Sequence, residues 1–451
     1  MNLPQSFLDE MKVILQDDYE KYAALTDKDP FRGISINRLK TEPDKLLPLL
    51  PFPVKKSPFY QDGYYIAPDV QGIGNLPFHH AGAFYVQEPS ASSAVSLLDI
   101  REGDRVLDMC AAPGGKSAQI ASMLNGTGLL WSNEIVKSRS QILLSNFERM
   151  GISQGVVSSQ SPDILGEKLE GYFDKVLVDA PCSGEGMFRK NPDAVSEWSR
   201  EHVSACANRQ LSVLDSAAKC LKTGGILVYS TCTFSYEENE GVIQKFLQEH
   251  SDFEMCGIEE HFGRKTELPC AVRITPLENG EGHFAAKLIR TGNHEYTGKF
   301  YQTSDRRRQK EMDALSEKML SDIFVDIPSG RLEIIRDKLY ILPDELPDIS
   351  GTGVIRAGVL AGVWKKNRIE PEHALFTSYP VSCFQKVFNL HTGDHRIYEF
   401  LRGEEIDCDT SGYTAVAFCG MTVGFGKCSN GRLKNKYPKG LRQRCGGNEQ
   451  C

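Results

Sequence analysis

The stretch VLDMCAAPGGKSAQIA, residues 106–121, decides the fold. Apolar residues run to Asp108, a proline and two glycines form a turn, and a helical pattern follows, giving strand, Gly-rich loop and helix. Without side chains, Gly114 and Gly115 let the backbone approach a ligand closely, and the helix behind them offers free N–H groups. Taken alone, such a turn fits any nucleotide-like cofactor. There is no GxGxxG and no GxxxxGK[ST], which turns the reading away from a nicotinamide or ATP site.

Outward from this stretch, residues 104–289 alternate between strands and helices. RVLDMC, GLLWSNE, KVLVDA and ILVYSTC read as strands, and KSAQIASML, KSRSQILLSNFERM and VSACANRQLSVLDSAAKCL as helices. RITP and HFAAKLIR close the unit as strands. This alternation predicts a parallel sheet with helices on both faces, which binds ligands at its carboxyl edge. That edge receives the Gly-rich loop after strand one and Glu134 after strand two. VLVDAPCSGEG (176–186) adds Asp179 and Cys182 after strand four, and GGILVYSTCTF (224–234) places Cys232 at the end of a neighbouring strand. A strand-end acid such as Glu134 is a ribose-gripping candidate in doubly wound folds.

The flanks read differently. Residues 1–95 mix short helical and extended patterns with aromatic turns. Residues 291–313 are polar around SDRRRQK, as a linker or an exposed helix. Short strands and turns follow, as in a small β-rich module, and there is no internal repeat. The 451 residues suffice for two or three domains. No run approaches the roughly 18–20 apolar residues of a membrane span, and the acidic N-terminal stretch is not a signal peptide. Thirteen cysteines without CxxC or other zinc spacing suggest reduced thiols in a cytoplasm, with no metal. The net charge of −8 argues mildly against nucleic acid, but its distribution matters more. Residues 411–448 hold no Asp or Glu, yet contain Lys427, Arg432, Lys434, Lys436, Lys439, Arg442 and Arg444. A patch for phosphates is expected there rather than a merely solvated tail.

The arrangement resembles an S-adenosylmethionine-dependent methyltransferase. In its amino-methylating relatives, strand four is followed by [DN]PP[YF]; here the stretch is DAPC, ending in a thiol. An exocyclic amine attacks a methyl group unaided, whereas carbon 5 of a pyrimidine becomes nucleophilic only after a thiolate adds to carbon 6. CAAPGGK, DAPCSGEG and STCTFSYEENE, with GEGHF (280–284) and HHAGAFYVQEPSA (79–91), together resemble the NOL1/NOP2/Sun family of RNA cytosine-5 methyltransferases. WKKNRIEPEHAL and LKNKYPKGLR extend the likeness to its bacterial 16S rRNA (RsmF-type) branch.

The resemblance implies an α/β chain with a Rossmann-like S-adenosylmethionine-dependent methyltransferase fold. An N-terminal α/β RNA-binding domain (1–95) would precede the catalytic domain (96–290). A linker and intermediate domain (291–380) and a β-rich PUA-like RNA-binding module (381–451) would follow. It implies that Cys232 attacks carbon 6 and that Cys182 assists release by taking the proton at carbon 5. Spacing alone does not choose between the thiols, and DNA cytosine-5 methyltransferases use the cysteine of the PC dipeptide instead. Asp179 would bind the cytosine N3/N4 edge and Lys116 would be a second base contact, both also facing the cofactor. Cys110, Ala111, Ala112, Pro113, Gly114 and Gly115 would run along the methionine part, and Glu134 would hold the ribose hydroxyls with Arg139 as its partner.

Two departures from the family pattern stand out. Ser161 occupies the place of an acid that contacts adenine, with Asp163 two residues on as a substitute. Ser35-Ile36-Asn37-Arg38 replaces R-V-N-T, so that an RNA contact is absent or shifted to Arg32 or Arg38. FRKNP (188–192) is positioned to help hold a flipped nucleotide. Arg306, Arg307 and Arg308 read equally as an RNA contact or a solvated linker. The expected partner is 16S rRNA or the 30S subunit, bound by a cytoplasmic monomer without membrane or metal. The same chemistry on tRNA, and a non-catalytic ribosome-assembly factor, are the alternatives.

Overall fold

The computed structural model describes residues 3–258, 262–303, 306–366 and 368–443. At its centre lies one mixed sheet. Strands β1 (Arg105–Asp108), β2 (Leu129–Asn133), β3 (Gly155–Ser158), β4 (Phe173–Asp179) and β5 (Leu221–Thr231) are parallel, in the order β3-β2-β1-β4-β5. Beyond β5 come β6 (Ala271–Ile274) and β7 (His283–Arg290), both antiparallel to their neighbours: β7 pairs with β5, and β6 with β7. Helices α1 (Gly115–Leu124), α2 (Lys137–Met150), α3 (Pro162–Lys168), α4 (Arg200–Cys220) and α5 (Glu240–Glu249) connect or flank the strands. Val106, Leu107, Val176, Leu177, Val178, Leu227 and Val228 are wholly buried, as strands covered on both faces require.

Register positions the site. In the β4–β5 ladder Asp179 lies opposite Ser230, so the loops leaving these strands carry Cys182 and Cys232 side by side.

The N-terminal part forms a four-stranded antiparallel sheet, in the order Val54–Lys56, Gly63–Ile66, Arg32–Ile36 and Phe84–Gln87. The helix Gln5–Leu15 seats Phe7 against Phe188 and Phe234, with ring centroids 5.1 and 6.3 Å away. After β7 the chain does not drift free: Tyr296 packs edge-on against Tyr172 at 4.9 Å. Helix Arg306–Ser321 follows, though the side chains of Arg306, Arg307 and Arg308 lie outside what is described. A four-stranded antiparallel sheet (Arg331–Ile335, Lys338–Leu342, Val359–Lys365, Arg368–Pro371) comes next. Between its second and third strands, Val354–Ala357 turns aside to pair with β3 and extends the catalytic sheet.

The last sheet has five strands, in the order Val387–Leu390, Gly412–Phe418, Met421–Ser429, Arg432–Asn435 and Ile406–Asp407. It shares one hydrophobic core with the N-terminal sheet, where Ile34, Phe78 and Phe84 meet Phe400, Phe418 and Leu433. The expectation of reduced thiols fails at one place: Cys408, just after Ile406–Asp407, forms a disulfide with Cys428 of Met421–Ser429, two strands that both pair with Arg432–Asn435. Arg444 lies outside the described residues.

Candidate active site

Two cavities meet at the carboxyl edge of the sheet. The smaller, about 350 Å³, is walled by Tyr85 and Gln87 of the N-terminal sheet, by Lys116, and by Lys190 and His283. The larger, about 820 Å³, extends over Glu134, Arg139, Ser161 and Asp163. Cys110, Ala112, Asp179, Ala180 and Cys232 line both.

At this junction the Cys182 and Cys232 sulfurs are 3.2 Å apart. Either sulfur can donate this bond; with Cys182 as the donor, it is the main reason Cys232 is held below the ordinary thiol value while Cys182 is pushed well above it. Lys116 adds a smaller lowering effect on Cys232 against burial and the Asp179 charge. Lys116 Nζ donates to Asp179 Oδ2 at 2.8 Å, and Ser230 Oγ donates to Asp179 Oδ1 at 2.7 Å. Burial opposes the charge on Lys116, but the Asp179 carboxylate outweighs it and the ammonium is held above its ordinary value.

The loop carrying Cys182 is anchored from beneath. Glu238 accepts from the Ser183 backbone N–H at 2.9 Å and from Gln210 Nε2 at 2.7 Å, and Gln210 also donates to the Pro181 carbonyl at 3.0 Å. Glu185 accepts from Trp198 Nε1 and from the Phe234 N–H, both at 2.9 Å, joining this loop to the one after Cys232. Burial pushes Glu185 up to about 7. Sequence reading missed Glu238, Glu185 and Gln210. The first two stood inside quoted motifs, but nothing in spacing showed them turning inward.

Around the Gly-rich loop, Ala111, Ala112, Pro113 and Gly115 face the smaller cavity. Gly114 lies outside both linings; its φ of 113° makes the turn. A Cβ on Gly115 would sit 2.7 Å from Gln87 Oε1 and 3.0 Å from the Tyr85 ring. Arg139 pairs with Glu134 at 3.2 Å and donates to the Ala112 carbonyl at 3.0 Å, bracing strand-end acid and loop together. Beneath the loop, buried Asp108 accepts from Ser117 Oγ at 2.7 Å, while its other oxygen, Oδ1, has no protein partner. Burial raises Asp108 to about 7. An unpartnered buried acceptor and a strand-end carboxylate fit a zwitterionic, ribose-bearing ligand such as S-adenosylmethionine.

Both arginines to which an RNA contact, if not absent, was expected to shift bond within the protein. Arg38 is held by Asp62 at 2.6 and 2.9 Å, and Arg32 donates to the Pro68 and Val70 carbonyls. Asn37, buried, bonds the Gly82 and Met150 carbonyls and so joins the N-terminal sheet to the catalytic unit. Among the described residues no group of three or more His, Cys, Asp or Glu is placed to hold a metal, and no helix is long and apolar enough to cross a membrane.

Four family models match the chain: "16S rRNA methyltransferase RsmB/F" over residues 95–289, the N-terminal domain of 16S rRNA methyltransferase RsmF over 3–89, the RsmF first C-terminal domain over 317–378 and the methyltransferase RsmF PUA domain over 387–443. The ribosomal RNA small subunit methyltransferase F of Vibrio vulnificus is 32% identical, across 97% of each chain. The chain belongs to the 16S rRNA methyltransferase RsmB/F family. Within that family it carries the RsmF-type domains at both ends, and it is an RNA methyltransferase. A methyltransferase homolog protein from Pyrococcus horikoshii is similar in structure, with TM-score 0.55 and 28% identity over 64% of this chain and 100% of that one. NSun6 from the same organism, solved with SFG, shares the fold at TM-score 0.58 and 21% identity, over 64% and 99%. The Rossmann-like methyltransferase core read from the RsmB/F-type motifs is therefore the fold observed.

Proposed function

We propose that this methyltransferase methylates carbon 5 of cytosine in 16S rRNA, with Cys232 as nucleophile and Cys182 as the releasing base. The reading rests on one observation: two contacting thiols stand where the two cavities join, beside the Lys116–Asp179 pair. The smaller cavity takes an extruded cytosine and the larger takes S-adenosylmethionine. When bound, S-adenosylmethionine supplies an electrophilic methyl group. Glu134 would hold its ribose hydroxyls, Cys110 and Ala112, the members of the 110–115 loop that line this cavity, its methionine part, and Ser161 with Asp163 its adenine.

The chain's own residues do the rest. The Cys232 thiolate, favoured by the S–H of Cys182, adds to carbon 6 and makes carbon 5 electron-rich. Asp179 binds the N3/N4 edge and Lys116 the pyrimidine edge, steadying the charge that develops on the ring. After transfer, Cys182, which must first lose its own proton to solvent once Cys232 is tied up as a thioether, takes the carbon 5 proton as a thiolate; the ring double bond re-forms and the Cys232–carbon 6 bond breaks, returning Cys232 as a thiolate.

RNA binding is supported at the other end of the molecule. Lys427 and Lys434 are direct cross-strand partners on an exposed face, a like-charge pair that costs stability unless an anion lies over it. Arg432 is partly neutralised by Asp407 at 2.7 Å. We infer that residues 1–95 and 381–451 grip the RNA while 96–290 carry the reaction. The small-subunit rRNA named for the Vibrio relative makes 16S rRNA the substrate of choice.

Transfer of label from S-adenosylmethionine to deproteinised 16S rRNA, 30S subunits and bulk tRNA tests the reading. Label on a ribosomal substrate is expected, abolished in Cys232→Ala, with Cys182→Ala remaining covalently attached to RNA. Label on tRNA alone would move the substrate. No label on any RNA despite bound cofactor would indicate an assembly factor.

A further inference from the structure

We infer that Lys190 is a substrate-contacting residue whose ammonium binds a backbone phosphate of the target nucleotide. The inference rests on reading the smaller cavity as the site of the extruded base. Lys190 follows the turn Glu185–Met187, and its N–H closes on the Met187 carbonyl at 2.9 Å. Its two predecessors fix its direction. Phe188 is buried against Phe7, and Arg189 is locked between both Glu281 oxygens, at 3.2 Å each, and the carbonyls of Lys28 and Asp29, at 3.0 and 2.9 Å. With its neighbours held this way, Lys190 lines the cavity opposite the Lys116–Asp179 pair, near Cys232 and His283.

Glu88 and Glu281 favour its charge only from a distance. Among the described residues no carboxylate lies within ion-pair distance of its ammonium, because the nearby acids are committed elsewhere. Glu88 accepts from the Ser90 and Ala91 N–H groups at 3.0 Å each, and Glu281 holds Arg189 and the Phe31 N–H. Lys116, in contrast, has Asp179. Burial depresses the Lys190 ammonium below the ordinary lysine range, and the surrounding charges do not restore it. A cation so placed is completed by an anion from outside. A nucleotide entering the cavity presents its base edge to Asp179 and Lys116, and the only anion it carries is phosphate. Lys190 is half-buried and stands close to exposed Met187 at the rim, which is where the backbone of an extruded nucleotide must pass.

The test measures binding and methylation of unmodified, transcribed 16S rRNA by the full chain, Lys190→Ala and Lys190→Arg across a salt series. Expected for Lys190→Ala is a KM and Kd for RNA raised about 5- to 10-fold. Its plot of log affinity against log salt should be shallower by about 0.7, the share of one phosphate contact to a single strand. Binding of S-adenosylmethionine should be unchanged, which also reports an intact fold, and Lys190→Arg should restore the slope. Wild-type affinity and slope in Lys190→Ala would overturn the assignment. So would a fall in kcat at unchanged KM and slope, which would put the ammonium on the reacting ring. Failure of the unsubstituted chain to bind or methylate the RNA would overturn the base-site reading itself.

Discussion

The Cys182–Cys232 contact makes each thiol the other's environment. Cys182 supplies the hydrogen bond that lowers Cys232, so removing it has two separable effects. In Cys182→Ala the RNA adduct accumulates, and the rising limb of its rate of formation against pH moves to higher pH. The sign follows from the loss of the lowering interaction: a higher thiol pKa means less thiolate at pH 7. Rapid-quench measurement of adduct formation between pH 6 and 9 checks this; an unmoved limb would show that Lys116 alone activates Cys232. At this scale much was legible, because Asp179, Cys182 and Cys232 each sit at or just past the end of an apolar run. Glu238 was not, and for Lys190 only the segment 188–192 stood out, since which of its residues is left without an ion pair depends on how distant acids are paired. The partners of Arg32 and Arg38 were hidden for the same reason: sequence does not show that the Pro68 and Val70 carbonyls and the Asp62 carboxylate engage them.

Two loops cross closely over the site. Gly282, at φ 147°, lies against Gly186; a Cβ there would stand 2.8 Å from Gly186 Cα and 2.6 Å from the Phe234 ring. Gly186 donates its N–H to the Cys232 carbonyl at 2.9 Å, so pressure on it is passed to the Cys232 backbone. Gly282→Ala is expected to cost about 2–3 kcal/mol and to lower kcat about 100-fold, since small displacements of a reacting group are costly. Calorimetry with single-turnover methylation measures both; full activity at lowered stability would separate the crossing from the chemistry. The parallel strands around this crossing were readable because each is a short apolar run bounded by turn residues. The return of Val354–Ala357 to the edge of β3 was not, because a pairing between remote segments leaves no local period.

Across the molecule, Lys40 marks where four regions meet. Its ammonium donates to the Thr377 carbonyl and, at 3.1 Å, to Thr422 Oγ1, and a Cβ on Gly151 of the catalytic unit would press on its side chain. Burial, aided by Arg149, lowers it from 10.5 to about 7. Because the folded value lies below the unfolded one, this contribution to stability is full above about 10.5 and is lost as pH falls through about 7. The unfolding midpoint should therefore rise with pH across that window, and Lys40→Met should flatten the rise. An equal slope in both proteins would assign the effect to other groups.

The core shared by the N- and C-terminal sheets bears on how the chain is made. At about 5–20 residues per second, Ile34 and Phe84 leave the ribosome well before Phe418 and Leu433 do. Until then the N-terminal sheet has an apolar face with nothing to cover it, and it must wait or be shielded by a chaperone. The basic face, built from the same late strands, is completed in the same step. The contacts proposed for Lys427 and Lys434 therefore wait on strands that emerge late in synthesis.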